Sequence, residues 1–284
     1  MTAASGEALR ALHRGPGPFV LPNAWDVASA LALVRAGFAA VGTTSLGLAA
    51  GAGVLDGSRA VRHLTADLAG SLAHLPVPVT VDLEDGFDDD PQAVAAFVAS
   101  LQVAGVNLED STGGRLVDPE RHADKIAAVR DRCPRLVVNA RVDTFWLGES
   151  ATLEETTRRA QRYVRAGADC VFVPGTLDAA QIRHLVGAVG APLNVLATPV
   201  HPLSRLAELG VRRVSTGSLL YRAALDAAVD VARRVRDDGT PPDATSYGEI
   251  QARTESEAAP GQPGEVRPGR GSGAGPWSST RRSW

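Results

Sequence analysis

Residues 77–84 read VPVTVDLE, and their alternation decides the fold. In an extended chain successive side chains point to opposite sides, so Val79, Val81 and Leu83 share one face and Thr80, Asp82 and Glu84 the other. The run Val106–Asp110 repeats the scheme, with Val106 and Leu108 against Asn107 and Glu109. Leu136–Asp143 repeats it again, with Val138, Ala140 and Val142 against Asn139, Arg141 and Asp143. Such strands suit a barrel whose apolar outer face meets helices and whose polar inner face ends in a mouth.

Working outward, further β-rich runs stand at Phe19–Asn23, Ala40–Ser45, Cys170–Pro174, Leu193–Thr198 and Arg213–Thr216, which makes eight. Alanine-rich helical stretches separate them: Asp26–Ala36, Ser58–Ala73, Pro91–Ala104, Pro119–Asp131, Leu153–Ala166, Asp178–Val189, Pro202–Leu209 and Leu219–Val235. Eight strand–helix repeats are the number a closed (β/α)8 TIM barrel needs. A doubly wound open sheet is the alternative, but no G-x-G-x-x-G follows the first run. Asp90-Pro91 reads as an N-cap with proline at the first helical position. Gly37, Gly105, Gly167 and Gly210 read as residues that end a helix just before a strand.

The 284 residues exceed the roughly 250 of a typical barrel, and the surplus lies at the end. From residue 240 to 284 there are seven glycines and six prolines, and the only aliphatic side chains larger than alanine are Ile250 and Val266. We therefore expect a catalytic barrel over 1–239 and a disordered, low-complexity tail over 240–284.

Charge and composition remove several function classes. The 29 basic and 32 acidic residues leave a net charge of −3, so no basic field draws nucleic acid or an anionic membrane. The uncharged stretch Ala36–Leu55 is too rich in glycine and alanine for a membrane span, and no signal peptide opens the chain, so a cytoplasmic protein is expected. Cys133 and Cys170 are too few for a disulfide scaffold or a zinc cage and read as structural. The chain lacks H-E-x-x-H, G-x-S-x-G and C-x-x-C. Its one lysine, Lys125, lies on a helix and is a poor Schiff-base candidate. Of six scattered histidines, only His201, in a mouth loop, competes for a catalytic role.

The polar faces place Asp82, Glu84, Glu109 and Arg141 at one mouth. Inward acids repel one another and resist desolvation, and a divalent cation relieves both costs. All-oxygen donors select a hard ion, Mg²⁺ with Mn²⁺ as the alternative, held by Asp82, Glu84 and Glu109 directly or through water. Arg141 offers a fork to a substrate carboxylate, and the competing reading is an internal salt-bridge cluster around it. Asp85, Asp88, Asp89 and Asp90 read as a solvated loop with a helix cap, Asp85 having the wrong parity for the mouth. The glycine-rich stretch TTSLGLAAGAGVLDG, 43–57, reads as a backbone anion nest or a flexible lid.

Seven pieces in order, LPNAWDVASA, GTTSLGLA, VDLEDGF, GVNLEDS, NARVD, GADCVFVPG and GVRRVSTG, together resemble the isocitrate lyase/phosphoenolpyruvate mutase superfamily over residues 19–235. The resemblance implies a (β/α)8 barrel with its last helix swapped between subunits of a homodimer or homotetramer. It also implies Mg²⁺ at the strand ends and a small carboxylic-acid substrate. On it, Asp82, Glu84, Gly86 and Phe87 match the family's D-x-D/E-x-G-Y/F, and Glu109 and Asp110 its E-D. Asp56 in VLDG matches its metal-shell aspartate, and Arg141 its strand-five arginine. Ser45, Gly47 and Leu48 are similar to the stretch whose amides hold a substrate carboxylate. The family's lyases carry a K-K-C-G-H loop with a catalytic cysteine, and its mutases a lysine and an asparagine there. The corresponding STGGRLVDPE, 111–120, has none of these and only Arg115 as a cation. The implied activities are carbon–carbon cleavage by a lyase or decarboxylase, or phosphonomutase or phosphoenolpyruvate hydrolase chemistry. A reading of another class is a catalytically silent barrel that serves as a binding scaffold.

Overall fold

The computed structural model describes residues 2–255. Its principal compact unit, Met1–Thr245, is a parallel barrel ringed by helices. In chain order its elements are α1 (Thr2–His13), β1 (Phe19–Leu21), β2 (Asn23–Ala24), α2 (Val27–Arg35), β3 (Val41–Thr43), α3 (Ser45–Gly51), α4 (Arg62–Leu72), β4 (Val79–Asp82), α5 (Pro91–Ser100) and β5 (Gly105–Glu109). There follow β6 (Ser111–Thr112), β7 (Arg115–Leu116), α6 (Pro119–Arg132), β8 (Val137–Arg141), α7 (Thr144–Leu147), α8 (Leu153–Arg165), β9 (Cys170–Phe172), α9 (Ala179–Ala188), β10 (Leu193–Leu196), α10 (Leu203–Glu208), β11 (Arg213–Ser215) and α11 (Leu219–Arg236). The second unit, Ser246–Trp284, contributes α12 (Tyr247–Glu255) to the expected tail, and residues 256–284 lie outside the described residues.

Hydrogen bonding runs β1-β11-β10-β9-β8-β5-β4-β3-β2. The two ends of that order, β1 and β2, are one expected strand interrupted by Pro22, which has no N–H to give to a ladder. The barrel therefore closes through the chain itself. Asn23 seals the seam: its Oδ1 accepts from the amides of Thr216 (3.1 Å) and Gly217 (3.0 Å), and its Nδ2 donates to the Thr43 carbonyl at 2.6 Å. All eight expected strands are present, and the eight expected helices correspond to α2, α4, α5, α6, α8, α9, α10 and α11.

The strand parity holds. Val81, Val106, Leu108, Val138 and Ala140 are fully buried in the apolar layer between barrel and helices, each large aliphatic side chain contributing roughly 1.5–3 kcal/mol. Inside the barrel the filling is polar: Asn139 Nδ2 donates to Asn107 Oδ1 at 2.7 Å, and Arg213 reaches the same oxygen at 3.2 Å. At the opposite end from the mouth, Leu9 of α1 packs with Leu21, Ala40, Ala104 and Val137.

The punctuation holds with one exception. Asp90 caps α5, accepting from the Gln92 amide at 3.0 Å with Pro91 next in line. Gly37, Gly167 and Gly210 adopt positive φ. Gly105 does not; it begins β5, where a Cβ would stand 2.9 Å from both a Leu9 methyl and the Val137 carbonyl oxygen. No helix among the described residues is long and apolar enough to cross a membrane.

Candidate active site

Three neighbouring strands deliver the site. β4, β5 and β8 pair in register, Asp82 beside Asn107 and Glu109 beside Arg141, so their polar faces end at one mouth. Arg141 Nη1 lies 2.6 Å from Glu109 Oε2, and its Nε donates to Asp143 Oδ1 at 2.6 Å. The Arg141 side chain keeps 16% of its surface exposed. The guanidinium carbon stands 5.7 Å from the Trp146 ring centre and 6.0 Å from that of Phe172.

Asp82 accepts from the Ser45 amide at 3.1 Å, while its own amide donates to Thr43 Oγ1 at 3.0 Å. Past Leu83 the chain leaves the extended region: Glu84, Gly86 and Phe87 have φ of 50°, 99° and 63°. Two of these are not glycine, and such strain concentrates at functional sites. Glu84 is buried. Its Oε2 accepts from the Arg59 amide at 2.8 Å, and its Oε1 has no partner. Asp56 is exposed, yet its charge acts on Asp82, Glu84 and Glu109.

The electrostatics are those of crowded acids. Burial pushes Glu84 up to about 7, with Asp56 and Asp82 adding to the rise. Burial likewise raises Asp82 and Glu109, although Arg141 pulls both down. Burial opposes the charge on Arg141, but Glu109, Asp143 and Asp82 outweigh it and hold the guanidinium protonated. One cation thus faces three carboxylates, Glu109, Asp143 and Asp82.

The competing salt-bridge reading accounts for Glu109 and Asp143 on Arg141 but leaves Glu84 Oε1 orphaned. The residues fit a hard divalent ion: the donors are all oxygen, one is buried without a partner, and the acids are destabilised by one another. Among the described residues no three acid, histidine or cysteine side chains form a ready-made cage. Mg²⁺ tolerates that, because it dehydrates reluctantly and is commonly held by one or two carboxylates and several waters.

Several expectations change on inspection. Asp85 is not solvated. It is buried, and although burial raises it, hydrogen bonds from Arg59 and Thr112 and the Lys125 charge bring it below its ordinary value. The glycine-rich stretch is no flexible lid at its start, because it folds as α3. Gly47 is needed there, since a Cβ would come within 2.7 Å of Trp25 Cβ. The Ser45 amide is taken by Asp82 and the Leu48 amide by the Thr44 carbonyl at 3.3 Å; those of Leu46 and Gly47 have no acceptor among the described residues. His201 Nε2 is occupied by the Leu177 carbonyl at 2.9 Å. Asp110 faces away from Glu109, accepting from Arg159 at 2.9 Å and the Tyr163 hydroxyl at 2.7 Å. Lys125 is buried with Nζ 2.9 Å from the Asp85 carbonyl. Burial pushes the Cys170 thiol up to about 12 and raises Cys133 as well, in keeping with structural roles. Parity missed Arg59, whose amide is invisible in a sequence, and the hydroxyls of Ser111 and Thr112.

The family model for phosphoenolpyruvate phosphomutase matches residues 9–236. The chain belongs to that family. Within the wider phosphoenolpyruvate mutase/isocitrate lyase superfamily it is 49% identical over 242 residues to an uncharacterized protein of Mycobacterium tuberculosis (strain ATCC 25618 / H37Rv), covering 85% of this chain and 94% of that one. It is 29% identical over 256 residues to 2-methylisocitrate lyase of Salmonella typhimurium (strain LT2), covering 83% and 86%. Among solved structures, phosphonopyruvate hydrolase in complex with oxalate and Mg²⁺ superposes with a TM-score of 0.79 at 26% identity, covering 89% of this chain and 95% of that one. The phosphoenolpyruvate mutase family thus groups enzymes that are mutases, lyases and hydrolases. The superposition over most of both chains shows that the parallel barrel described above is the fold of that hydrolase as well.

Proposed function

We propose that the protein is a Mg²⁺-dependent enzyme that acts on a small 2-oxo or 2-hydroxy carboxylic acid and breaks a carbon–carbon bond through a pyruvate-enolate-like intermediate. The observation that carries this is the mouth itself: Asp82, Glu84 and Glu109, all raised above their ordinary values, stand with Arg141 at the ends of neighbouring strands, and Glu84 Oε1 is buried without a partner. Asp82, Glu84 and Glu109, with Asp56 at the rim, would hold the ion, and Mn²⁺ could replace it. When bound, it supplies Lewis-acid polarisation of a carbonyl oxygen.

The chain's own residues supply the rest. The Arg141 guanidinium donates to the substrate oxygen on which negative charge develops, and Glu109 and Asp143 fix it so that no reorientation is needed. The open amides of Leu46 and Gly47, beside Ser45 and Leu48, receive the substrate carboxylate. Asp56, exposed at the rim, takes or returns a proton.

Carbon–carbon rather than carbon–phosphorus chemistry is favoured by the cations at the mouth. Arg59 is paired with Asp85, and Arg115 with Glu149 at 3.1 Å. Arg59 is thus committed to a buried acid, which leaves Arg141 as the guanidinium of the strand ends. Neither cysteine is at the mouth, so the cleavage is of a kind that needs no thiol, a decarboxylation or hydrolysis.

We further infer that the working form is a homo-oligomer in which a second copy covers α11, which buries no residue of its own.

The test is a substrate screen in MgCl₂ with oxaloacetate, 2-methylisocitrate, 2,3-dimethylmalate, phosphonopyruvate and phosphoenolpyruvate, alongside calorimetric titration with oxalate as an enolate mimic. Turnover of a carbon acid, abolished in Asp82→Ala, is expected. Turnover of phosphonopyruvate alone would move the assignment to carbon–phosphorus chemistry. Absence of any Mg²⁺-dependent oxalate binding would leave the silent scaffold.

A further inference from the structure

The stretch 111–117 folds as a two-stranded hairpin, β6–β7, in which Ser111 pairs with Leu116 and Thr112 with Arg115. Its two-residue turn, Gly113-Gly114, has φ of 56° and 76°, the double positive φ of the tight hairpin turn that glycine adopts without strain. The base is tied down on both sides. The Val117 amide donates to the Asp110 carbonyl at 2.9 Å, and the Asp110 amide to the Arg141 carbonyl at 3.1 Å. The Leu116 amide reaches Glu149 at 3.3 Å.

Ser111 and Thr112 are neighbours on a strand, so their side chains point to opposite faces and reach different acids. Ser111 Oγ donates to Asp143 Oδ2 at 2.6 Å, and the other oxygen of Asp143 receives Arg141 Nε at 2.6 Å. Thr112 Oγ1 donates to Asp85 Oδ2 at 2.6 Å. Asp85 in turn grips the Arg59 guanidinium through Nε at 3.0 Å, and the Arg59 amide holds Glu84 at 2.8 Å. Lys125 fixes the same turn from below through the Asp85 carbonyl at 2.9 Å. Ser111, Asp143 and Asp85 are all buried, so water does not substitute for a lost hydroxyl without cost.

We propose that β6–β7 is a fixed brace and that Ser111 and Thr112 are positioning residues with separate charges: Ser111 sets the Arg141 guanidinium through Asp143, and Thr112 sets the Glu84 carboxylate through Asp85 and Arg59. The division of labour rests on the reading of Arg141 as the substrate-binding group and Glu84 as a metal-holding group. The brace itself rests only on the hydrogen bonds just described.

The experiment uses the full chain and the variants Ser111→Ala, Thr112→Val and Thr112→Ser. Each is titrated calorimetrically with MgCl₂, then with oxalate at saturating MgCl₂. Hydrogen exchange by mass spectrometry follows peptides over 57–61, 111–117 and 140–144, with and without both ligands. Thr112→Val is expected to weaken Mg²⁺ about tenfold, the scale of one lost charge-assisted hydrogen bond. It should speed exchange at the Arg59 amide and leave oxalate binding to the metal-saturated protein unchanged. Ser111→Ala is expected to do the reverse: oxalate weakens about tenfold, Mg²⁺ holds, and the Asp143 amide exchanges faster. Thr112→Ser keeps the hydroxyl and restores Mg²⁺ binding, which a purely steric role of the threonine would not allow. In the wild type, exchange over 111–117 is slow and the same with and without ligands. Identical defects in the two variants, or a hairpin that becomes protected only when Mg²⁺ and oxalate bind, overturn the brace. If the wild type binds neither Mg²⁺ nor oxalate, the functional reading falls. Exchange at the Arg59 and Asp143 amides of the metal-free variants then decides the brace alone, and unchanged rates sink it.

Discussion

Glu84 carries the sharpest consequence at the scale of single residues. Its carboxyl is pushed up to about 7 from 4.5 by burial and by Asp56 and Asp82. A carboxyl raised in the folded state favours folding while it is protonated. That contribution is complete below the unfolded value near 4.5 and is lost as pH rises through 7. The amount is at most about 3 kcal/mol, the free-energy equivalent of the whole shift, and solvent screening reduces it. Scanning calorimetry of the metal-free protein should therefore show a melting temperature that falls between pH 5 and pH 8 relative to Glu84→Gln, which has no proton to lose there. Added MgCl₂ should restore the wild type at pH 8 and leave Glu84→Gln unmoved. A wild type and variant that melt in parallel across this range would show that Glu84 is ordinarily solvated. A second residue prediction separates the adjacent acids of β5. Removing Asp110 leaves Arg159 and Tyr163 without their buried partner, so Asp110→Ala should cost roughly 3–5 kcal/mol in urea unfolding. Glu109→Gln should cost far less and instead abolish oxalate binding.

At the scale of elements, the sequence was legible where a period was kept. The eight strands and their helices follow from two-residue alternation and from Gly and Asp-Pro punctuation, and the same alternation brings Asp82, Glu109 and Arg141 to one mouth. It failed where the backbone leaves the extended region. From Glu84 to Phe87 the positive φ values break the two-residue period, so Asp85, discounted by parity, is buried against Arg59 and Lys125. α3 was hidden by its glycines, one of which is demanded by the closeness of Trp25 rather than by any loop. α1 was missed because it precedes the first strand and buries few large side chains. The β6–β7 hairpin has only two residues in each strand, too few for alternation to register. Its turn gives a prediction at this scale. Alanine at Gly114 would be held at a φ of 76°, so Gly114→Ala should destabilise the protein by about 1 kcal/mol in chemical denaturation. Gly51, a helical glycine with nothing within 4 Å of its would-be Cβ, should accept alanine at no cost or with a slight gain.

At the scale of the whole molecule, α11 is the element left uncovered. An 18-residue helix carries Leu219, Leu225, Val229 and Val235 between 40% and 57% exposed and buries none of its residues. It is joined to the barrel at its start, where Tyr221 meets Trp25 edge-on at 5.5 Å. Isolated helices of this length are marginal in water, and most helical stability in proteins comes from packing an amphipathic face. Leu225 and Val229 are one turn apart and lie on the same stripe, so the missing packing is a contiguous strip rather than scattered contacts. A second copy of the chain supplies it most economically, because a twofold arrangement covers both strips at once. Sedimentation velocity should then show a dimer or a multiple of it at micromolar concentration, and Leu225→Glu with Val229→Glu should yield monomers. Those monomers should lose helical circular dichroism, because α11 without a cover frays, while the acids proposed to hold the metal stay in place and still take up Mg²⁺. Trp25 and Tyr221 sit beside Gly47, at the start of α3 where the substrate carboxylate is proposed to bind. The monomeric variant should accordingly bind oxalate more weakly than the wild type at equal Mg²⁺ occupancy. A wild type that sediments as a monomer with undiminished oxalate affinity would remove the second copy from the site.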